Sequence, residues 1–448
     1  MRIDSRKVVD RATTGLGLLS IVLVAGALIV LLAPIVYRGL GAFVFRATVE
    51  HRRAHFDHFR QGNRAALEAE LAAVAAARQP VYDALAAQAA AVRALPRRER
   101  RAAQEHLEEV RNLVRALLGP LPGDPEPALI RDRYGARRWD RAAVALHNLL
   151  YVTEYDYSDP TRLGRKQYVP RVAQWRGTAL EPLFAHCAAH AEDMLRPRWT
   201  FYWRFLTDDS RDAHMIGGIW AELLGTFYLT VGAILFAVPM GVLSAIYLVE
   251  YARDNWAVRA LRSCISTLAG VPSIVFGLFG LAFFINTLRV SPSKSVLAGS
   301  LTLAALILPL VIRAAEEAIR AVPQTYKEAA LSVGASRWRT ILTVILPAAL
   351  PGILTGVVIS MGRAAGETAP IIFTAAVSVG PPLAVWQTLS SPTPALPWNI
   401  YNLATEHAAA DEIRHVQYGM VLTLVVLVLV LNGAAIILRA RIARRLTG

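Results

Sequence analysis

Residues 328–347 read EAALSVGASRWRTILTVILP and lie between two long apolar stretches of the chain. Ala, Leu and Glu favour a helix up to Gly334, and glycine commonly follows the last residue of a helix. We expect one short helix from Pro323 to Gly334 and a second from about Ser336 until Pro347 interrupts it. Two short helices joined at a glycine form a compact projection that a partner protein could hold.

The apolar stretches on either side of this projection indicate a membrane protein. The chain has 448 residues, of which 54% are hydrophobic and 18% charged, whereas soluble proteins carry about 25% charged residues. About 20 apolar residues are needed to cross the hydrocarbon layer. The sequence therefore predicts an all-α, polytopic membrane protein of about six transmembrane helices in contact with membrane lipids. The six stretches lie near 15–37, 220–248, 263–287, 296–314, 349–376 and 419–438.

Basic residues beside these stretches predict the orientation of the chain. Arg and Lys concentrate near the N-terminus, at 253–262, at 313–339 and in the tail at 439–445, and they are sparse at 379–418. Since short cytoplasmic loops are enriched in Arg and Lys, both termini are expected in the cytoplasm. The net charge of +14 is then a topology signal, and no nucleic acid partner is expected.

A long Arg-rich segment, residues 38–215, separates the first and second apolar stretches. Helical spacing of apolar residues in its first half predicts a helical domain. Long loops cross the membrane largely regardless of their charge, so this insertion is expected on the outer side. The expected domains are 1–37, an N-terminal cytoplasmic segment with the first transmembrane helix; 38–215, the insertion; and 216–448, a core with five transmembrane helices and the projection.

The motif of EAA, three residues, Gly, nine residues and then I-x-L-P resembles the cytoplasmic loop of bacterial ABC importer permeases. Val344 stands where the pattern has Ile, and the other defining positions match. The resemblance implies that residues 316–347, called the coupling loop below, dock into a cleft of a separate ATPase subunit. In that case Glu328, Ala329, Ala330 and Gly334 couple the two proteins.

Two further motifs, GVPSIVFG at 270–277 and GRAAGETAP at 362–370, are similar to permease subunits of the phosphate-specific importer. The GETAP ending resembles the PstA-type subunit, and the resemblance covers about residues 215–440. It implies a type I ABC importer permease fold in the bacterial inner membrane, importing inorganic phosphate. It also implies three kinds of partner, four chains in all: two ATPase subunits, a second permease subunit of PstC type and a periplasmic phosphate-binding protein.

The expected substrate path contains an unusual charge pair, Arg363 and Glu367, near the middle of the fifth apolar stretch. A charge at the bilayer centre costs about 2.5–3.5 kcal/mol, so such residues face a protein interior or a watery path. Arg363 suits an anion path because its planar fork fits a tetrahedral oxyanion. Glu367 would hold the guanidinium or take part in gating, and Thr368 and Ser273 complete the expected path. A structural ion pair that locks two helices together is the alternative.

No G-x-x-x-x-G-K-[ST] motif occurs, so the chain is expected to be a transporter subunit without an ATPase site of its own, not an enzyme. Two histidine-rich sets have spacings that suit zinc but lack further ligands, so no metal or cofactor is expected. Two other functions remain open: a permease for sulfate or molybdate, and a membrane sensor whose external domain detects a ligand. The two sets are His51, His55 and His58, and His186, Cys187 and His190.

Overall fold

The computed structural model describes residues 2–156, 164–407, 410 and 412–447. Most of them are helical, which confirms the predicted fold class. Among these residues, five helices are long and apolar enough to cross a membrane, and a sixth span is present if one sharply bent pair counts as one. The spans are Asp10–Leu40, Trp220–Tyr251, Val296–Arg320, Arg337–Gly366 and Arg414–Ile442, and the bent pair is Trp256–Leu268 with Ser273–Thr287.

The α-helices and strands follow one another along the chain, with short π-helical turns at 247–251, 281–287 and 341–345. The helices are α1 (Arg2–Leu40), α2 (Val49–Phe59), α3 (Arg64–Ala94), α4 (Arg97–Leu118), α5 (Trp139–Leu150), α6 (Glu181–Leu195), α7 (Trp220–Ile246), α8 (Trp256–Leu268), α9 (Ser273–Gly280), α10 (Val296–Arg320), α11 (Gln324–Ser332), α12 (Arg337–Thr340), α13 (Leu346–Gly366), α14 (Ala369–Thr374), α15 (Leu396–Thr405) and α16 (Arg414–Thr447). The strands are β1 (Val44–Ala47), β2 (Tyr151–Asp156), β3 (Arg165–Pro170), β4 (Arg198–Phe201), β5 (Ser210–Arg211) and β6 (Ile216–Gly217).

The chain divides into two compact units, which are described separately. The membrane unit comprises Met1–Ala42, Arg204–Ser210 and Gly218–Gly448, and the inserted unit comprises Phe43–Trp203 and Arg211–Gly217.

The inserted unit is built on a hydrophobic core of side chains from α3, α4, α5 and α6. The sequence predicts a helical unit, but β1 pairs with β4 and β2 with β3 as antiparallel ribbons. Tyr151 and Val152 begin β2, and β-branched and aromatic residues of this kind favour strands. The Tyr202 amide donates a hydrogen bond of 2.7 Å to the Phe43 carbonyl. The two ends of the segment Phe43–Trp203 therefore lie side by side.

Small residues allow close packing between helices of the membrane unit. A Cβ added at Gly356 of α13 would lie 2.2 Å from the Cβ of Ala314 on α10, and one added at Gly352 would lie 2.7 Å from Ala318. Such positions let backbones approach, which is the usual basis of helix association in lipid. The α10–α13 contact therefore depends on these two glycines.

The predicted third span, 263–287, is not one straight helix. α8 ends at Leu268 and α9 begins at Ser273, and the two helical stretches meet at an angle of 103°. Pro272 lies in extended backbone immediately before α9, and a proline restricts the residue before it and lacks an N–H for a helical hydrogen bond. The motif that carries the family resemblance is thus also the break in this span.

The predicted fifth span, 349–376, is wrong at both ends. One helical run extends from Arg337 to Gly366, and it passes through Pro347 instead of being interrupted there. A π-helical turn at 341–345 precedes this proline, and the Leu346 amide donates to the carbonyl of Ile341, five residues back. The wider turn accommodates a residue that would clash with the carbonyl four residues back in a regular α-helix.

Candidate functional site

The coupling loop contains the short helix that the sequence predicts, α11, and this helix ends in a Schellman motif. The Gly334 amide donates to the Leu331 carbonyl at 3.0 Å, and the Ala335 amide donates to the Ala330 carbonyl at 3.2 Å. Gly334 has a φ of +85°, a left-handed conformation that glycine adopts without the cost of a Cβ. Its position in the motif therefore follows from backbone geometry.

The part of the coupling loop around Gly334 is exposed and carries large apolar side chains, among them Tyr326 and Trp338. No residue of α11 is buried, and Val333 beside Gly334 is 82% exposed. A Cβ added at Gly334 would meet no atom within 4 Å. Exposed apolar surface of this kind marks an interaction site. Glu328 and Ala329 are exposed on the same loop, and Ala330 is partly buried.

The other end of the coupling loop continues directly into a membrane helix. The Ser336 hydroxyl accepts a hydrogen bond from the Arg339 amide at 3.4 Å and caps α12. Helical structure then runs without a break to Gly366. Ile341 and Ile345 are buried in a cluster with residues of α7 and α10. The end of the coupling loop and α13 therefore belong to one continuous helical run.

Arg363 and Glu367 form an ion pair, but not in the middle of a span as expected. Arg363 lies in the last turn of α13, and Glu367 follows the final helical residue in extended backbone. The Arg363 Nε lies 3.3 Å from the Glu367 Oε1, with side-chain exposures of 41% and 20%. The pair therefore joins the end of α13 to the non-helical residues that follow it. Pro370, at the start of α14, explains the break because a helix usually ends before a proline.

The structure brings the two family motifs together, which spacing along the sequence does not predict. A Cβ added at Gly277 of α9 would lie 3.0 Å from the Ala369 carbonyl oxygen and 3.1 Å from the Pro370 Cα. Ser273 is the first residue of α9, one turn before Gly277 and on the same face. Thr368 immediately precedes α14. Ser273 and Thr368 are thus contributed by two helices in close contact, and both are partly buried.

Sequence reasoning missed Lys294, which stabilises the end of α14. Its Nζ donates to the Ile372 carbonyl at 2.7 Å, and the Ser295 amide donates to the Thr374 carbonyl at 2.9 Å. Ser295 also caps α10, since its Oγ accepts from the Ala298 amide at 3.1 Å. A serine before an apolar run could have predicted this cap, but no sequence signal links Lys294 to Ile372.

Sequence reasoning also missed a buried polar contact between α7 and α15. The Asn399 Nδ2 donates to the Glu222 Oε1 at 3.2 Å, and both residues are fully buried. Beside them the Leu396 amide donates to the Thr226 hydroxyl at 2.8 Å. A carboxylate buried in this way needs polar partners, because an uncompensated charge is costly in a low-dielectric interior.

The histidine sets contain close ring pairs. The ring centroids of His51 and His55 are 4.1 Å apart, and those of His186 and His190 are 4.5 Å apart. Within the described residues, no group of three or more His, Cys, Asp or Glu side chains is arranged to hold a metal ion. Burial lowers the pKa of His51 well below its ordinary value, and the nearby His55 and arginines add to this effect. Burial also raises the pKa of the Cys187 thiol to about 12.

Comparison with known proteins assigns the family. Residues 237–448 match the family model of the binding-protein-dependent transport system inner membrane component. The probable ABC transporter permease YqgI of Bacillus subtilis is 36% identical over 254 residues, which are 54% of this chain and 85% of that protein. The chain belongs to this ABC permease family. Membership identifies a membrane transport subunit and favours that function over a membrane sensor.

The relatives of this permease also confirm the resemblance to PstA-type subunits. The phosphate transport system permease PstA 1 of Mycobacterium tuberculosis is 37% identical over 229 residues, which are 51% of this chain and 73% of that protein. PstA of Yersinia pestis is 35% identical over 228 residues, 50% of this chain and 73% of that protein. Among solved structures, an inward-facing MetNI methionine ABC transporter matches 50% of this permease and 94% of its own chain, with 18% identity and a TM-score of 0.39.

Proposed function

We propose that this permease moves inorganic phosphate into the cytoplasm, with ATP hydrolysed by two separate ATPase subunits. The relatives named as phosphate transport permeases, at 35–37% identity, support phosphate as the substrate. A second permease subunit of PstC type completes the path, and a periplasmic phosphate-binding protein delivers the substrate. In this arrangement both termini and the coupling loop are cytoplasmic, and the inserted unit is periplasmic.

The exposed coupling loop carries this proposal. No atom lies within 4 Å of a Cβ added at Gly334. The surface around this glycine is therefore open, and the cleft of an ATPase subunit can cover it. Glu328 is exposed on the same loop and gives the partner a charged contact. Because helical structure is continuous from Arg337 to Gly366, movement of the ATPase subunits reaches the far end of α13.

That far end holds the proposed anion site. Arg363 uses its Nε to contact Glu367, and a guanidinium has four further N–H donors that this contact does not engage. Glu367 keeps the guanidinium oriented, and the guanidinium is exposed because α13 ends beside it. Ser273 and Thr368 add hydroxyl groups, each of which can donate a hydrogen bond to a phosphate oxygen.

Uptake of radiolabelled phosphate tests this site in cells that express the complete transporter. Arg363→Gln should abolish uptake, whereas Arg363→Lys should retain part of it because the positive charge remains. The double variant Arg363→Gln with Glu367→Gln should stay inactive. Recovery in the double variant would mean that the pair is only structural.

Competition distinguishes phosphate from the other oxyanions. Excess unlabelled phosphate should abolish uptake of the label by the wild-type transporter, and excess sulfate or molybdate should leave it nearly unchanged. Strong competition by sulfate or molybdate would contradict phosphate specificity.

Glu328→Arg should separately remove the ATPase subunit from the purified complex, because the reversed charge faces the docking cleft.

A further inference from the structure

The coupling loop makes an ion pair with the membrane unit through Lys327, the residue immediately before Glu328. The Lys327 Nζ contacts the Glu250 Oε2, and the side chains are 29% and 10% exposed. Lys327 lies on α11, whereas Glu250 lies in the π-helical turn at 247–251 that continues α7. The contact therefore joins the proposed ATPase-docking helix to the end of a membrane helix that is distant in sequence.

The side chains of α11 pack only partly against the rest of the membrane unit. None of its residues is buried, so packing of its own side chains contributes little to holding it against the membrane unit. Exposed ion pairs contribute little to stability, but breaking a buried one is costly because it leaves a charge uncompensated. Glu250 is nearly buried, so the pair constrains α11 more than an exposed pair would.

The turn that holds Glu250 is itself tied to two other helices. The Arg262 Nη2 on α8 donates to the Leu248 carbonyl at 2.9 Å, and the Nε of this arginine lies 3.7 Å from the Glu316 Oε1 on α10. The Leu248 side chain is buried against Val258 of α8 and Ile312 of α10. A displacement of this turn must therefore be shared by α7, α8 and α10.

α7 is also closely packed along its length. A Cβ added at Gly241 would lie 2.6 Å from the Val311 Cγ1 on α10, and one added at Gly232 would lie 2.3 Å from the Ser300 hydroxyl. Close-packed elements move as discrete bodies because such interfaces deform little. A force on Glu250 would thus move α7 together with α10, against which α7 is closely packed.

We propose that the Glu250–Lys327 pair is the link through which the coupling loop moves α7 during transport. The link rests on the proposed docking of an ATPase subunit on the coupling loop. It adds a second route of force transmission to the continuous helix that runs from Arg337 into α13. Lys327 and Glu250 are then positioning residues, since neither touches the substrate.

Charge reversal tests the link in the complete transporter, purified with its ATPase subunits and reconstituted into liposomes. Lys327→Glu and Glu250→Lys should each retain the ATPase subunits but lower phosphate uptake about tenfold, within the range of coupling between sites. ATP hydrolysis should persist, so the ATP consumed per phosphate imported should rise. The double variant restores the opposite charges and should recover most of the uptake, and Lys327→Arg should remain close to wild type.

Two control variants separate this proposal from the function on which it rests. Arg259→Glu reverses an exposed charge on α8 and should leave the coupling ratio unchanged. Glu328→Arg should remove the ATPase subunits, and normal uptake in that variant would contradict docking itself. If docking holds, normal coupling in both single variants would overturn the link. Loss of the ATPase subunits from them would overturn it too, as would a well-inserted double variant that stays uncoupled. If the single variants fail to insert, the double variant alone decides.

Discussion

The two units of this chain are stabilised by different interactions. The membrane unit relies on glycines that allow helices to approach, as where Gly356 faces Ala314 and Gly280 faces Thr302. The inserted unit relies on arginine–carboxylate pairs around a hydrophobic core, as where Arg78 contacts Glu50 at 2.9 Å. Lipid is as apolar as leucine and offers no hydrophobic force between helices. The solvent of each unit thus determines which contacts hold it together.

The comparison also explains where charge carries function. Two ion pairs of the membrane unit, Arg363–Glu367 and Glu250–Lys327, each have their carboxylate at the end of a helical run. In the inserted unit the pair Arg78–Glu50 links two helices in the interior, whereas others, such as Arg101–Glu105, are exposed. A charge pair in the membrane unit is therefore a stronger indication of mechanism than one in the inserted unit, where pairs are part of ordinary packing.

The largest effect is expected from filling a glycine contact in the membrane unit. Gly356→Leu places a side chain where even a Cβ lies 2.2 Å from Ala314, so α10 and α13 must separate. We expect the free energy of unfolding to fall by more than about 4 kcal/mol, which is in the exceptional range for single substitutions. The amount of full-length protein that elutes as a single species from detergent-solubilised membranes measures the effect.

Gly433→Leu is the matched control, because no atom lies within 4 Å of a Cβ at that position of α16. Both variants make the same chemical change in an apolar helix. Equal loss in the two variants would show that glycine matters through helix propensity or insertion, and the proposed contrast between close packing and charge would fail.

These contacts mark the limit of what the sequence predicts. Apolar length located the spans at 220–248 and 296–314 well, because the membrane imposes a length on any helix that crosses it. The motif spacing located Gly334, because a left-handed residue there requires glycine. Pro272 is a signal for the break in the third span, but the apolar run around it favours the prediction of one continuous helix. The path of the chain through Pro347 depends on a π turn that has no pattern of its own.

Tertiary partners could not be predicted for the candidate site. Arg363 and Glu367 were paired correctly because they are four residues apart, yet their place at a helix end depends on where α14 begins. Lys327 and Glu250 are separated by 77 residues, and either could have faced water. The packing of α7 against α10 helps to place them together, and it depends on glycines whose neighbours the sequence does not specify.

A smaller effect is expected from breaking a buried ion pair in the inserted unit. Glu50 is 1% exposed and Arg78 is 8% exposed, and Arg78 also donates to the carbonyls of Met194 and Leu118. Arg78→Met should destabilise the unit by about 3 kcal/mol, the lower end for a broken buried pair. Arg53, at 3.9 Å from Glu50, partly offsets the uncompensated charge.

Alkylation of Cys187 in a Cys264→Ala background measures this loss in the full chain. The Cys187 thiol is fully buried and its pKa is raised to about 12, so at pH 8 it should react only when the unit opens. Arg78→Met should speed the reaction strongly. Arg101→Met removes an exposed pair with Glu105 and should change stability by less than about 1 kcal/mol. Equal labelling rates in the two variants would contradict the importance of buried pairs here.

The smallest effect is expected from removing the inserted unit, since the membrane unit has its own packing. The Tyr202 amide and the Phe43 carbonyl are hydrogen-bonded at 2.7 Å, so a short Gly/Ser linker can replace residues 44–201 without stretching the chain. The coupling loop, Arg363 and Glu250 all lie outside the deleted segment. We therefore expect the ATPase subunits to co-purify at wild-type levels and phosphate uptake at saturating binding protein to persist. The apparent affinity for the loaded binding protein should change, because the unit is proposed to lie on the periplasmic side.

A deletion variant that inserts but no longer retains the ATPase subunits would show that the two units are not independent, or that the inserted unit faces the cytoplasm. Protease added to the outer face of intact spheroplasts separates these outcomes, because it can cleave the wild-type inserted unit only if that unit is periplasmic.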